Sequence, residues 1–334
     1  MSWKDKAAVY LPEVEKFLQE IVKEGEGELS RHYGMMRYHM GWADENLRPA
    51  VTSTGKRLRP LLCLLSCEAL GGEWREAIPA AAALELVHNF SLVHDDIQDH
   101  SPFRRHRPTV WKLWGEALAI NVGDALLILA CKALGELPLS KFKECCQILN
   151  EACLMLTEGQ FLDLTFEKRE KVSLEEYMEM IKRKTAALMA ASAQMGAVIA
   201  TEDRGVIERL RRFGESLGMA FQVQDDILGL WGDEAVTGKP VADDLRQRKK
   251  TLPIIYAMER EPFLQSLLAG AEWGEKEVTE ALEIINRCGA REFTENQALS
   301  FYRKALEELE SLGLDSEAVQ ALKELASFIV GREY

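Results

Sequence analysis

Three aspartates stand close to the basic cluster Arg104, Arg105, His106 and Arg107 in the stretch HDDIQDHSPFRRHRP, residues 94–108. The acids Asp95, Asp96 and Asp99 come first, and the basic residues follow a short loop later. On a helix, Asp95 and Asp99 share one face, where two carboxylates repel each other unless a cation lies between them. Carboxylate oxygens suit Mg²⁺, which completes its coordination with water and phosphate oxygens. The stretch therefore predicts a metal-assisted site for a phosphorylated ligand.

The helix that carries these acids decides between two interpretations. On a solvated helix these acids would be ordinary surface charge, and on a buried helix they would be site residues. Asp95 follows the apolar run AAAALELVHNFSLV. That run predicts a buried helix, and acids at the end of a buried helix need cationic or metal partners. His88 lies seven residues before Asp95 on the same helical stripe, which favours a site residue over a hydrogen-bonded core histidine.

A second acidic cluster ends another apolar helix, in FGESLGMAFQVQDDILGLWGD. Gln222, Asp225 and Asp226 lie in it, and the loop that follows, GKPVADDLRQRKKTLP, is rich in basic residues. Two buried helices of this kind can face one another across a cavity and hold a metal–diphosphate between them. The alternative, two unrelated solvated patches, requires both coincidences at once.

Helical periodicity dominates the chain that must position these clusters. Segments such as SLEEYMEMIKRKTAALMAASAQMGAVIA repeat apolar residues every three or four positions, and alternating β-branched runs are missing. Typical helix and connection lengths predict roughly a dozen helices. Breaker-rich stretches at 48–60, 100–110 and 231–244 each lie beside a charged cluster. Since no linker divides the chain, residues 1–334 are predicted to form one all-α domain.

Composition limits the classes of partner. The 334 residues include 54 acidic and 41 basic ones, and the net charge of −13 disfavours binding to nucleic acid or anionic membranes. Seven scattered cysteines without zinc-type pairs indicate free thiols in a reducing cytoplasm. The N-terminus lacks a signal-peptide pattern, and we expect no apolar window long enough to span a bilayer.

Five ordered motifs resemble those of trans-isoprenyl diphosphate synthases, the polyprenyl synthetase family. They are GKRLRP (55–60), LVHDDIQDHSPFRRHRPT (92–109), GQFLDL (159–164), KRKT (182–185) and FQVQDDILGLWGDEAVTGKP (221–240). The resemblance extends over essentially the whole chain. It implies a single-domain isoprenoid synthase bundle of helices around a central apolar cavity, assembled as a homodimer.

The resemblance also implies a Mg²⁺-dependent, head-to-tail prenyl transfer. In this family isopentenyl diphosphate condenses with an allylic diphosphate, such as dimethylallyl, geranyl or farnesyl diphosphate, by ionisation, condensation and elimination. Cations stabilise the charge that develops on the leaving diphosphate, and apolar helices keep water from the allylic cation. The departing diphosphate is thought to take the final proton, so no histidine base is needed.

DDIQD resembles the first Asp-rich motif of the family, and DDILG resembles the second. The first implies that Asp95 and Asp99, with Asp96 nearby, hold two Mg²⁺ ions on the allylic diphosphate. The second implies that Asp225 binds a third ion and that Asp226 supports it.

Basic and polar side chains of the motifs are implied to bind the two diphosphates. Arg104 would bind the allylic diphosphate, and it joins Lys184 and the five aspartates as an expected catalytic residue. The isopentenyl diphosphate site would consist of Lys56, Arg59, His88 and Arg105, and Arg57 of the same basic loop is a further expected substrate-binding residue. The residues that cradle the allylic substrate and its leaving diphosphate would be Lys184, Thr185, Gln222, Lys239 and Lys249.

Two positions depart from the family pattern. The second motif often ends in a third aspartate, where this chain has Gly229, so the third metal would be ligated by fewer carboxylates. The loop usually written RRGxPT reads RRHRPT, with His106 in place of glycine. If that position needs a positive φ, His106 carries strain, which puts the geometry of Arg104 and Arg105 in question.

Product length in this family depends on the residues just before the first Asp-rich motif. Phe90 stands five residues before Asp95, with the small Ser91 next to it, and DDIQD has no insertion. This pattern resembles enzymes that make the C20 product geranylgeranyl diphosphate, and farnesyl or longer-chain synthases are the alternatives. Helical spacing places Phe90 about 140° from Asp95, so periodicity alone does not place its ring in the product tunnel.

Two other classes share parts of the pattern. A class I terpene cyclase is all-α with an aspartate-rich motif, but it usually carries an Asn/Ser/Glu-type second metal motif and has no need for a GKRLRP-like loop. A non-catalytic subunit of a heteromeric synthase commonly lacks the acidic motifs, which are intact here. The resemblance therefore favours a catalytic synthase.

Overall fold

Helices account for nearly all of the regular structure. The computed structural model describes residues 1–52, 55–233, 241–270 and 273–331. The named strands in those ranges are the two-residue pair β1 (Phe103–Arg104) and β2 (Arg107–Pro108). The prediction of an all-α protein is confirmed.

Two compact units divide the chain. The first comprises Met1–Asn150, Ser192–Ile207 and Asp315–Leu322, and the second comprises Glu151–Ala191, Glu208–Leu314 and Lys323–Tyr334. Most of the boundaries fall inside helices rather than in linkers. The interpretation of residues 1–334 as one domain around a central apolar cavity stays a prediction.

Among the described residues, six helices lie entirely in the first unit. Their bounds are Trp3–Ile21 (α1), Leu29–Met40 (α2), Leu58–Ala69 (α3), Ile78–Gln98 (α4), Val110–Trp114 (α5) and Glu116–Leu134 (α6), with a 3₁₀ turn at Trp74–Ala77. α4 packs along α6, and its other sides contact α1 and α3. This packing holds the carboxyl end of α4, where the first aspartates lie.

α4 forms because it is rich in strong helix formers and has a proline in its first turn, where a missing N–H is tolerated. The run from Ala80 to Val87 is buried without interruption. Gly123 of α6 allows the close approach, because a Cβ there would lie 2.2 Å from Nε2 of His94. α4 ends at Gln98, one residue before Asp99.

Of the described helices, α6 alone meets the length and hydropathy criteria for a membrane span, and 44% of its most apolar window is buried. This finding differs from the expectation that no apolar window is long enough to span a bilayer, and the criteria are met because the window contains few charged residues, Asp124 and Lys132 among them. Core helices of folded proteins pass the same test, and α6 packs along α4. The expected absence of a membrane span stays a prediction.

The remaining helices lie wholly or partly in the second unit. They are Leu139–Lys168 (α7), Leu174–Ile181 (α8), a π-helix at Lys182–Ala186, Ala187–Ala200 (α9), Arg204–Trp231 (α10), Asp243–Arg246 (α11), Leu252–Arg260 (α12), Pro262–Ala269 (α13), Glu275–Arg287 (α14), Ala290–Glu310 (α15) and Glu317–Val330 (α16). α8 begins with a capping box, in which Ser173 Oγ accepts from Glu176 N at 3.2 Å. An apolar cluster that includes Met180, Val223 and Leu252 joins α8, α10 and α12.

Candidate active site

The end of α4 places the three aspartates of DDIQD in different environments. Asp95 is half-buried and Asp99 is exposed, whereas Asp96 is buried and accepts hydrogen bonds from Arg104 Nε at 2.9 and 3.0 Å. Burial raises the pKa of Asp96, and the Arg104 guanidinium opposes this shift. Asp96 therefore holds Arg104 in place, and its expected contact with a metal stays a prediction.

A two-residue hairpin presents Arg104 and Arg105. β1 and β2 pair Arg104 with Arg107, so Arg105 and His106 form the turn. Both turn residues have positive φ, 52° and 62°, which fits a type I′ turn. Glycine adopts this conformation freely, whereas another residue costs roughly 1–2 kcal/mol. His106 therefore stands where the backbone favours glycine, and the hairpin still places Arg104 against Asp96, 2.8 Å between Nη2 and Oδ1.

Arg57 of the basic loop GKRLRP forms ion pairs inside the protein. Arg57 is buried with a positive φ of 48°, while Lys56 beside it is exposed. Its guanidinium donates to Glu85 at 2.6 Å and to Glu15 at 3.3 Å, and Asn89 also donates to Glu85, at 2.7 Å. Burial lowers the pKa of Arg57, but the two glutamates outweigh it and raise the pKa. These contacts give Arg57 a structural role, and its expected contact with substrate stays a prediction.

His88 lies on α4 among arginines from both basic loops. Burial lowers its pKa far below the ordinary value, and Arg59, Arg105, Arg104 and Arg57 lower it further. The ring is therefore neutral, and it can donate one hydrogen bond without adding charge. The structure thus brings three members of the expected isopentenyl diphosphate site together, and what they bind stays a prediction.

The two residues expected to limit product length lie near the end of α4. Phe90 and Ser91 are both buried. The Phe90 ring meets the His94 imidazole edge to face, with 4.9 Å between the ring centroids. His94 is held in turn against α6, with its Nε2 3.3 Å from the Ile120 carbonyl oxygen. Neighbouring side chains therefore fix the Phe90 ring, and its effect on product length stays a prediction.

In the second unit, Asp226 is the centre of a buried hydrogen-bond network. Tyr177 donates its hydroxyl to Oδ2 at 2.6 Å, Leu252 N donates to the same oxygen at 3.1 Å, and Gln222 donates to Oδ1 at 3.2 Å. Gln222 also accepts from the Thr185 hydroxyl at 2.8 Å. Burial raises the pKa of Asp226 to about 7, although the Tyr177 hydroxyl opposes the shift. The network links three of the expected site residues, Thr185, Gln222 and Asp226.

Lys184 lies on the π-helix, whose position depends on the motif GQFLDL. Its Nζ forms an ion pair with Asp163 at 2.5 Å. Gly159 makes room for the π-helix, because a Cβ there would lie 2.3 Å from the Lys184 backbone nitrogen. Sequence reasoning missed Asp163 and Tyr177. The one available signal was that a tyrosine on an apolar helix face needs a partner for its hydroxyl.

Gly229, the departure at the end of DDILG, lies against a carboxylate from farther along the chain. A Cβ at this position would lie 2.0 Å from Oδ2 of Asp244. Burial is the largest cause of the raised pKa values of Asp226 and Tyr177, and the nearby Asp244 carboxylate raises both further. Asp244, which was not among the expected site residues, thus brings negative charge to a position where family members often have an aspartate.

The last three expected site residues are Asp225, Lys249 and Lys239. Asp225 is half-buried on α10, next to Asp226. Lys249 is half-buried, and its backbone nitrogen donates to the Asp244 carbonyl at 2.9 Å. Lys239 lies outside the described residues.

The carboxylates near the end of α4 have the chemistry that Mg²⁺ prefers. Within the described ranges, no three His, Cys, Asp or Glu side chains lie close enough to hold a metal ion. Asp95 and Asp99 offer carboxylates about one turn apart at the end of α4, and Mg²⁺ in phosphate sites takes one or two protein carboxylates plus water and phosphate oxygens. The donors therefore fit a Mg²⁺ held jointly by the protein and a diphosphate, not a cage made of protein alone.

Known proteins resemble this chain over most of its length. Residues 40–285 match the family described as Polyprenyl synthetase. The (2E,6E)-farnesyl diphosphate synthase of Mycobacterium tuberculosis is 41% identical over 307 residues, which are 90% of this chain and 86% of that protein. The geranylgeranyl diphosphate synthase of Methanosarcina mazei is 38% identical over 290 residues, which are 86% and 89%. A crystal structure of geranylgeranyl pyrophosphate synthetase from Pyrococcus horikoshii has a TM-score of 0.89 and 36% identity, covering 99% of this chain and 97% of that one.

Proposed function

The chain belongs to the polyprenyl synthetase family and is a trans-prenyl diphosphate synthase, and we propose that it joins isopentenyl diphosphate to an allylic diphosphate to make geranylgeranyl diphosphate. The observation that carries the proposal is that Arg59 and Arg105 lie near the neutral His88 of α4, the helix whose last turn carries Asp95 and which is followed by Asp99. Hydrogen-bond donors and cations next to paired carboxylates suit a ligand that carries diphosphate and metal together.

Arg104 and Arg105 of the hairpin contact different neighbours, an arrangement that suits binding to two different diphosphates. Arg104 is held by the buried Asp96. Arg105 lies over the basic loop, because a Cβ on Gly55 would be 3.0 Å from its Nη2. Each guanidinium can donate charge-assisted hydrogen bonds to phosphate oxygens. We assign Arg104 to the allylic diphosphate and Arg105 to isopentenyl diphosphate.

Mg²⁺, when bound, would supply positive charge that stabilises the leaving diphosphate. We propose three ions per site, with the ligands Asp95, Asp96, Asp99 and Asp225. Lys184, Thr185, Gln222 and Lys249 are further side chains that we assign to the allylic substrate and its leaving diphosphate. Chelation with EDTA should abolish turnover, and added Mg²⁺ should restore it; turnover that resists chelation would contradict this assignment.

The reaction is tested with purified protein, Mg²⁺, isopentenyl diphosphate and each allylic primer in turn, with chromatographic sizing of the products. Linear prenyl diphosphates support the proposal. Cyclised hydrocarbons would identify a terpene cyclase, and turnover only with a partner chain would identify a non-catalytic subunit. Asp95→Ala should abolish turnover and leave the far-ultraviolet circular dichroism unchanged, whereas Asp315→Ala, an exposed control, should keep full activity. Substantial activity in Asp95→Ala would refute its role at the metal.

Product length is proposed from this chain's own residues, because the relatives named above include both farnesyl and geranylgeranyl synthases. Phe90 stands five residues before Asp95 and is buried beside His94. Phe90→Ala should extend the products beyond C20, and Phe263→Ala, which alters an exposed ring on α13, should not. Unchanged products from Phe90→Ala would exclude Phe90 as the limit, and a C15 product from the wild type would indicate a farnesyl synthase.

We also propose that the protein forms a homodimer in the cytoplasm. α6 exposes the apolar side chains of Ile120 and Ile128, which are 45% and 66% exposed and which a second copy would cover. Free cysteines suit a reducing compartment. Light scattering after size exclusion should give the mass of two chains, and Ile128→Asp should shift the protein to one chain. A monomeric wild type would contradict the proposal.

A further inference from the structure

The hairpin that carries Arg105 packs on the end of α2. Arg107 donates to the Tyr38 carbonyl at 3.1 Å, and its guanidinium stacks on the Tyr38 ring 3.9 Å from the centroid. The Tyr38 hydroxyl donates to the Pro108 carbonyl at 2.7 Å. These contacts bring the next residue of α2, His39, beside the turn.

His39 has a buried ring nitrogen without a partner. No hydrogen bond to its Nε2 is formed by any of the described residues. Burial lowers the pKa of His39 far below its ordinary value, and four arginines, of which Arg105 has the largest effect, lower it further. The ring is therefore neutral, and Nε2 can accept one hydrogen bond. A buried acceptor of this kind is costly to leave unsatisfied.

Among the described residues, Arg105 has a hydrogen-bond donor without an acceptor, which complements the unsatisfied acceptor of His39. Its Nη1 is also buried without a hydrogen-bond partner in the part of the chain that the structure describes. The neighbouring arginines are engaged, since Arg104 contacts Asp96 at 2.8 Å and Arg57 contacts Glu85 at 2.6 Å. An unsatisfied donor and an unsatisfied acceptor thus belong to two residues that lie close together.

One small cavity is lined by both residues, together with Asp96, Arg104 and Thr109 among others. Its volume of about 20 Å³ is sufficient for a single water molecule. Such a water can accept from Nη1 of Arg105 and donate to Nε2 of His39. We propose that His39 is a positioning residue that holds Arg105 through this water, so that the other guanidinium nitrogens are directed to isopentenyl diphosphate.

This role rests on the proposed function, which assigns Arg105 to isopentenyl diphosphate. Nη2 of Arg105 faces the basic loop, 3.0 Å from where a Cβ on Gly55 would stand. Because the guanidinium is planar and rigid, holding Nη1 from behind also fixes the direction of Nη2. Arg104 has its own support in Asp96. His39 should therefore affect the binding of isopentenyl diphosphate and not that of the allylic substrate.

Two amide variants separate this role from simple packing. The side-chain oxygen of His39→Gln can reach the place of Nε2, whereas that of His39→Asn reaches only the place of Nδ1. The Asn variant should raise the KM for isopentenyl diphosphate about tenfold, with the allylic KM changed less than about twofold and kcat nearly unchanged. The Gln variant should keep the wild-type values. His32→Asn, on the same helix but outside the cavity lining, is the matched control.

Calorimetric titration with isopentenyl diphosphate alone gives a readout that does not depend on turnover. Equal affinities of the Gln and Asn variants for isopentenyl diphosphate would overturn the role of His39. An equal rise in the KM of both substrates in the Asn variant would overturn it as well. In either case, normal wild-type turnover would leave the proposed function intact. A wild type without prenyl transfer would refute the proposed function instead, and the titration would still compare the two variants. If the Asn variant does not fold, His39→Ser replaces it, because serine also lacks an acceptor at the Nε2 position.

Discussion

Arg57→Met should destabilise the fold rather than weaken substrate binding. The side chains of Arg57 and Glu85 are both 3% exposed, and their charged atoms lie 2.6 Å apart. Methionine occupies part of the space but removes the charge, which leaves the Glu85 carboxylate buried with the Asn89 amide as a donor. Breaking a buried ion pair from one side costs about 3–5 kcal/mol because the other charge is left uncompensated.

Thermal unfolding followed by circular dichroism measures this effect. In a large domain each kcal/mol lowers Tm by roughly 2 °C, so we expect a decrease of roughly 6–10 °C. The double variant Arg57→Met with Glu85→Gln also removes the unpaired charge and should recover most of the loss. With the single Glu85→Gln variant, the four proteins form a cycle that isolates the energy of the pair.

Steady-state kinetics of a variant at the neighbouring Arg59 provides a control for which the opposite result is expected. Arg59 is half-buried in the same loop, and its charge acts on His88. Arg59→Met should raise the KM for isopentenyl diphosphate with little change in Tm, and Arg57→Met should show the reverse. A strongly raised KM with an unchanged Tm in Arg57→Met would refute the structural role and identify Arg57 as a diphosphate ligand.

Three further substitutions test the backbone and the buried network. His106→Gly should raise Tm by roughly 1–3 °C, because relief of the positive φ outweighs the added chain entropy of glycine, and no increase would mean that the turn is unstrained. Gly229→Ala should lose about 1–3 kcal/mol of unfolding free energy through its clash with Asp244, and the added Asp244→Ala should restore it; an undisturbed single variant would contradict the clash. Tyr177→Phe should cost about 1–3 kcal/mol in urea unfolding because the buried Asp226 loses a donor, and a neutral result would show that this hydroxyl does not stabilise the fold.

Local features of the site follow from the sequence. The apolar run before Asp95 predicts a buried helix, and α4 is buried without interruption from Ala80 to Val87. The glycine that the family usually has at position 106 anticipates a positive φ there, and His106 has one, 62°. Both inferences concern residues that are neighbours along the chain, where helical geometry and backbone preference act directly.

Partners of the buried polar groups do not follow from the sequence. Tyr177 meets Asp226 across 49 residues, and Lys184 meets Asp163 across 21. Periodicity indicates that a side chain is buried, but the carboxylate it meets depends on how the helices pack. For the same reason the loop GKRLRP predicts a cluster of cations, and the structure shows that Arg57 is engaged by glutamates from α1 and α4.

Position 229 shows how packing can compensate for a departure from a motif. Glycine in place of aspartate predicts fewer carboxylates at the end of α10. Asp244 of α11, however, places its carboxylate where a side chain at 229 would begin, and its charge acts on Asp226. Any Cβ at 229 would collide with that carboxylate, so an aspartate there and Asp244 in its present position exclude each other. An aspartate at position 229, the usual family residue, would therefore displace the Asp244 carboxylate that now supplies negative charge near Asp226.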